Sequence, residues 1–228
     1  MIAENLTQIR NRIDEAALRA GRSPDHVRIV AAGKKQGRER IREAIEAGIR
    51  IIGHNYVQEA EAEKEDTHSA QIELHMIGHL QKNKAGKAVD LFDVIETVDN
   101  AKLAKALSRR AGDVGRNIGV LIQVNLALEP QKSGIEKDRV EELTEITRNL
   151  PNLSLKGLMT MPPFFDEPER ARPYFVQLRE LRDSLIQAGT LAPEMNELSM
   201  GMTGDFEAAV EEGATLVRIG TALFGPRI

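Results

Sequence analysis

Residues 211–220, EEGATLVRIG, decide how the chain is read. Two acids close a helical pattern, and Gly213 can take the left-handed conformation that caps a helix end. TLVRI is then a short β-branched run that stops at Gly220. EAGIRIIG at 46–53 is a faint echo of the same arrangement, with Gly48 in the capping place. Working outward, similar runs lie at 27–32, 50–52, 72–77, 93–98, 118–124, 154–159, 196–199 and 215–219. Helical patterns fall between them near 38–47, 55–65, 81–89, 100–111, 138–149, 168–188 and 204–212.

Eight strands alternating with helices, each about 25 residues from the next, predict an α/β fold of the (β/α)8 TIM-barrel type. A doubly wound open sheet is the main competitor. Seven helices follow strands, and only GTALFGPRI remains after the eighth strand. The N-terminal segment 3–20, with Ile2, Leu6, Ile9, Ile13, Ala16 and Ala17 at helical spacing, is therefore expected to complete the outer ring. No break in composition divides residues 1–228, so one domain is expected, with MPPFFDEPERARPYF after strand six as its most irregular connection.

The 228 residues are 41% hydrophobic and 29% charged, a balance that supports a buried core. A net charge of −4 supplies no basic field, so nucleic acid is not an expected partner. The chain has no cysteine, which removes disulfides, thiolate metal sites and thiol nucleophiles and points to the cytoplasm. No membrane span and no signal peptide are expected, and no metal motif is found. His75 and His79, four apart on a strand, stand about 13 Å apart, too far to share an ion.

In such a barrel chemistry belongs to the C-terminal ends of the strands. There the sequence places Lys34, Gly53-His54-Asn55, Gly78-His79, Asn125, Met159, Ser199-Met200-Gly201 and Arg218-Ile219-Gly220-Thr221. Lys34 is either a surface lysine beside Lys35 or an amine that forms Schiff bases with carbonyls. Strand alternation sends Lys34 and Lys35 to opposite sides, and parity alone does not choose between them. Arg218 interrupts an apolar run and needs a partner, either a structural carboxylate or a polar ligand atom. Gly220-Thr221 and the neighbouring LSMGMTGDF loop offer N–H groups and hydroxyls where these barrels habitually hold phosphate, with Thr203 placed to cap the next helix. Lys82, Lys84, Lys87 and Lys132 read as solvated.

Taken together, GKK after strand one, GHNYVQE (53–59), HMIGHLQKNK (75–84), KSGI (132–135), KGLMTM (156–161) and LSMGMTGDFEAAVEEGATLVRIGTALFG (198–225) resemble the pyridoxal phosphate homeostasis proteins. The resemblance implies a barrel like the N-terminal domain of alanine racemase, with pyridoxal 5'-phosphate (PLP) held as a Schiff base on Lys34. It implies that Asn55 touches the ring-oxygen side, that Arg218 faces the pyridine nitrogen, and that Ser199, Gly201, Gly220 and Thr221 hold the phosphate. Met159, Met200 and His79 are expected to line the pocket. The chain departs from the family pattern at Gly33, usually serine, at Lys35, usually threonine, and at His54, usually glutamate.

A cation at the pyridine nitrogen weakens the electron sink that PLP enzymes exploit. Racemisation needs a second acid/base, which alanine racemases take from a second domain. Here none is expected, and only Tyr56 and Tyr174 are available. The expected function is thus intracellular PLP homeostasis by a monomeric, non-catalytic carrier, with apo PLP-dependent enzymes as candidate recipients. The alternatives are a Schiff-base aldolase or lyase acting on a phosphorylated substrate, and a weak PLP-dependent amino-acid racemase.

Overall fold

The computed structural model describes residues 1–127, 129 and 133–226, without the side chains of residues 63–66, 68 and 69; Lys132 lies outside them. Its strands are β1 (Arg28–Ala32), β2 (Ile51–His54), β3 (Glu73–Met76), β4 (Val94–Val98), β5 (Ile118–Val124), β6 (Leu153–Thr160), β7 (Glu197–Met202) and β8 (Leu216–Ile219). All pair in parallel, and β8 returns to β1 with Val30 opposite Arg218, so the sheet closes into an eight-stranded barrel. Closure removes the sheet edges that the open alternative would have left.

The helices are α1 (Ile2–Arg19), α2 (Arg38–Glu46), α3 (Val57–Ser69), α4 (Ala85–Leu91), α5 (Ala101–Asp113), α6 (Val140–Arg148), α7 (Arg172–Gln187), α8 (Phe206–Glu211) and α9 (Thr221–Phe224). α1 buries Ile2, Leu6, Ile9, Ile13, Ala16 and Ala17 and packs between α8 and α2, so it does complete the ring. Beside it, TALF forms the short helix α9, which the sequence had not signalled. No helix of the described residues is long and apolar enough to cross a membrane.

Gly48 and Gly213 both have positive φ, at 111° and 105°. The N–H of Ile49 bonds to Ala44 and that of Ala214 to Ala209, which closes α2 and α8 in the same way before their strands. The core has two parts. A large one lies between sheet and helices. A small one fills the lumen with Val30, Ile51, Ile77, Val94, Leu121, Met159 and Leu216. Both faces of the parallel sheet are thus covered, and for that reason β5 is buried at every position.

Candidate functional site

A cavity of about 680 Å³ opens at the C-terminal ends of the strands, a size that suits a small-molecule ligand. Inward parity along β1 runs through Val30 and Ala32. It carries on past the strand end and brings half-buried Lys34 into the cavity wall, while Lys35 turns outward at φ 59°. The turn is held by the N–H of Gln36 on the carbonyl of Gly33. The Lys34 Nζ stands 5.8 Å from the Tyr56 ring centroid. Asn55 joins the wall from the loop after β2, where the N–H groups of Asn55 and Tyr56 both donate to Glu59 Oε2 at 3.1 Å.

Gly33 and His54 are spatial neighbours. A Cβ on Gly33 would come within 3.2 Å of His54 Cε1 and 3.1 Å of Ile41 Cδ1. His54, fully buried, stands close against the place that a side chain at position 33 would take.

Arg218 forms the cavity floor, 3% exposed. Its Nη2 donates to the Thr160 carbonyl at 2.8 Å and its Nη1 to Ser199 Oγ at 2.5 Å. The carboxylate its burial demands is Glu96, whose Oε2 lies 3.9 Å from Nη1 and accepts the Ser199 hydroxyl at 2.5 Å. Glu96 sits on β4, which neighbours neither β7 nor β8, so these contacts cross the lumen. Below it, Glu96 Oε1 meets His75 Nδ1 at 2.6 Å, and His75 Nε2 lies 3.2 Å from Glu73 Oε1.

Burial pushes the His75 imidazole down, but the close Glu73 carboxylate and the hydrogen bond and charge of Glu96 outweigh that and raise it to about 9. Burial pushes Glu96 up, and the hydrogen bond and charge of His75, with Arg218 and Ser199, overcome it and hold the carboxyl below its ordinary range. Burial lowers Arg218, against the pull of Glu96 and Asp205. At neutral pH the lumen therefore holds charges that alternate: Glu73 negative, His75 positive, Glu96 negative, Arg218 positive.

A raised folded pKa gives stability that is complete below the unfolded value of 6.5 and lost as pH climbs through about 9. Between those limits unfolding should become easier by up to about 1.4 kcal/mol per pH unit. The groups facing His75 are Glu73 and Glu96, backed by Arg28 and Lys156 near Glu73 and by Arg218 near Glu96. Urea denaturation at several pH values should show this slope in the wild type and not in His75→Gln; equal slopes would contradict it.

The cavity rim after β7 and β8 is built by Thr203, Gly204, Gly220 and Thr221. Thr203 does not cap α8. Its hydroxyl accepts the N–H of Ala222 at 3.3 Å and so ties the loop after β7 to α9, while Asp205 precedes α8 and accepts the N–H of Met202.

The structure thus brings Lys34, Asn55, Arg218, Gly220 and Thr221 together around the cavity. Five other expected residues lie elsewhere. The Ser199 hydroxyl is fully buried and already shared between Glu96 and Arg218, so it has no proton to offer a phosphate. Met200 faces outward into the sheet–helix core. Gly201, at φ 89°, lets α8 close on β7, since a Cβ there would stand 2.5 Å from that of Ala209. Met159 lies lower in the lumen, and it is Met161, two residues on, that lines the cavity. His79 has a half-exposed side chain 3.6 Å from Asp99. Conversely, the sequence reading passed over Phe164 and Phe165, which wall the cavity from the loop after β6. Phe165 stacks on Tyr174 at 6.0 Å and carries Arg170 over its ring, while Phe164 is 83% exposed at the rim.

The model of the alanine racemase N-terminal domain family matches residues 4–227. A pyridoxal phosphate homeostasis protein of Aquifex aeolicus is 42% identical over 224 residues, 98% of this chain and 97% of its own. The chain is a member of the pyridoxal phosphate homeostasis protein family. The Escherichia coli K12 member is 39% identical over 230 residues, covering 99% of this chain and 97% of its own. Among solved structures, the family member PipY of Synechococcus elongatus, with PLP bound, superposes with a TM-score of 0.82 at 36% identity, over 99% of this chain and all of that one.

Proposed function

We propose that this chain binds pyridoxal 5'-phosphate and serves its homeostasis, with the cofactor held as a Schiff base on Lys34. The observation that carries this reading is a lysine amine in the wall of a cavity floored by a buried arginine, on a chain that aligns end to end with a relative whose structure holds PLP. The residues fit the group. Arg218 would lie under the ring nitrogen, Asn55 beside the ring, and Gly220 and Thr221, with Thr203 and Gly204, around the phosphate.

When bound, PLP supplies an aldehyde for the lysine amine and a ring nitrogen whose protonation sets its strength as an electron sink. Arg218 only donates hydrogen bonds, so it favours the unprotonated nitrogen and works against carbanion chemistry. Tyr56 lies against Lys34 itself, and Tyr174 is stacked on Phe165. We therefore read the protein as a non-catalytic carrier, a cytoplasmic monomer of one domain that yields PLP to apo-enzymes.

The test is uptake of PLP by the purified protein, with pyridoxal and a keto sugar phosphate as comparisons and chiral analysis of added amino acids. PLP should produce a visible absorbance band, pyridoxal should bind far more weakly, and no amino acid should racemise. Failure to take up PLP, or borohydride trapping of the sugar phosphate instead, would overturn the reading.

A further inference from the structure

The carboxylate of Glu96 does not line the cavity, yet the geometry beneath the floor is organised around it. One oxygen accepts from His75 on β3 and the other from Ser199 on β7, and the second also faces Arg218 on β8. A single hydroxyl cannot be turned freely under these conditions. Ser199 donates its proton to Glu96, which leaves its lone pairs for Arg218 Nη1. With Nη2 fixed on the Thr160 carbonyl, the guanidinium plane is set, and only its remaining N–H bonds are left to meet a ligand.

Glu96 is fully buried, and an isolated carboxylate there would take up a proton. A protonated Glu96 could no longer accept from both His75 and Ser199. What keeps it ionised is the pair of cations on either side, His75 below and Arg218 above. His75 in turn is held by Glu73 at the base, where Arg28 lies 3.7 Å from Glu73 and 2.6 Å from Glu197. The charged groups facing His75 are thus Glu73 on its own strand and Glu96 on β4, with Arg28 on β1 and Lys156 on β6 acting through Glu73 and Arg218 on β8 acting through Glu96.

We propose that Glu96 is the positioning residue of the ligand floor: joined to His75 through one oxygen and to Ser199 through the other, it orients Arg218 by way of the Ser199 hydroxyl and so sets how the cavity meets an aromatic ring nitrogen. This rests on the reading of the cavity as a PLP site. It goes beyond that reading in assigning the floor's geometry to His75, Glu96 and Ser199, which do not line the cavity.

The experiment compares wild type, Glu96→Gln and Ser199→Ala for PLP affinity and absorption maximum, with His75 ring nitrogens followed by NMR in the ligand-free protein. The amide introduced by Glu96→Gln would turn its NH2 toward one of two donors and release the Ser199 hydroxyl. The PLP affinity of that variant should fall about tenfold or more, with a shifted absorption maximum. Borohydride should still fix the cofactor on Lys34. Ser199→Ala keeps every charge, should fold if Glu96→Gln does not, and should weaken binding severalfold in the same direction. The His75 ring should carry both protons at pH 7.

Wild-type affinity and spectrum in a folded Glu96→Gln or, should that variant not fold, in Ser199→Ala would overturn the proposal, as would a neutral His75 at pH 7. If wild-type protein took up no PLP, the ligand reading would fall and the assignment to that ligand with it. The NMR titration would still decide whether the charged column exists.

Discussion

Lys34→Ala is expected to fold as the wild type does and to stay colourless in the presence of PLP. The lysine is half-buried in a turn, and its contact with the Tyr56 ring is of the exposed cation–π kind, about 0.5–1 kcal/mol. The loop and α9 that would grip the phosphate do not depend on it, since they are held by Thr203 and Ala222. Removing the amine therefore separates covalent capture from ion binding. PLP affinity should drop on the order of a hundredfold, about 2.7 kcal/mol, leaving weak phosphate-directed binding. Spectrophotometric titration beside thermal unfolding checks both halves. A visible band that persists in Lys34→Ala and disappears in Lys35→Ala would assign the chemistry to the wrong lysine.

Arg218→Leu should produce the largest loss of stability. It takes one of the two cations from beside the buried Glu96 carboxylate, leaving it to His75 alone, and leaves the Thr160 carbonyl and the Ser199 hydroxyl without their shared donor. Breaking a buried pair by removing one partner costs about 3–5 kcal/mol, most of it the penalty of the charge left behind. Adding Glu96→Gln removes that charge, so the double variant should lose at least about 1 kcal/mol less than the sum of the two single losses. Urea denaturation of the four proteins measures the coupling. A cost below about 1 kcal/mol for Arg218→Leu alone, with strict additivity, would mean that Arg218 and Glu96 do not depend on each other.

Much of this arrangement was legible in the residues. Periodicity placed the strand starts within one residue, because each strand is short, apolar and bounded by glycine or polar turns. The demand that Arg218 have a partner was sound, and its identity was not readable. Glu96 stands in VIETV, a run that shows only that β4 is buried, and sequence says nothing of which non-adjacent strands face each other across a lumen. The signal that could have found it is the alternation of charge on inward positions, Glu73 and His75 on β3, Glu96 on β4 and Arg218 on β8.

The expected β7 residues lie off the cavity for separate reasons. The strand runs on to Met202, and its register against β8 shifts between Ser199 and Met202. Met200 follows lumen-facing Ser199 and so points outward by plain alternation, whereas the bulge reverses the facing beyond it and brings Met202 to the cavity. Gly201 is glycine for the close approach of α8, which looks in sequence like a phosphate loop. The helix expected from 168 starts at Arg172, because Pro168–Arg170 closes a single tight turn first. That turn helps place the aromatic wall of the cavity.

The most direct measurement is borohydride reduction of the PLP-loaded protein followed by mass mapping of its peptides. One modified side chain, Lys34, in the peptide carrying GKKQG, is the expected result. Label on Lys35, label spread over the surface lysines, or no label at all would contradict the assignment of the cofactor to the lysine at the end of β1.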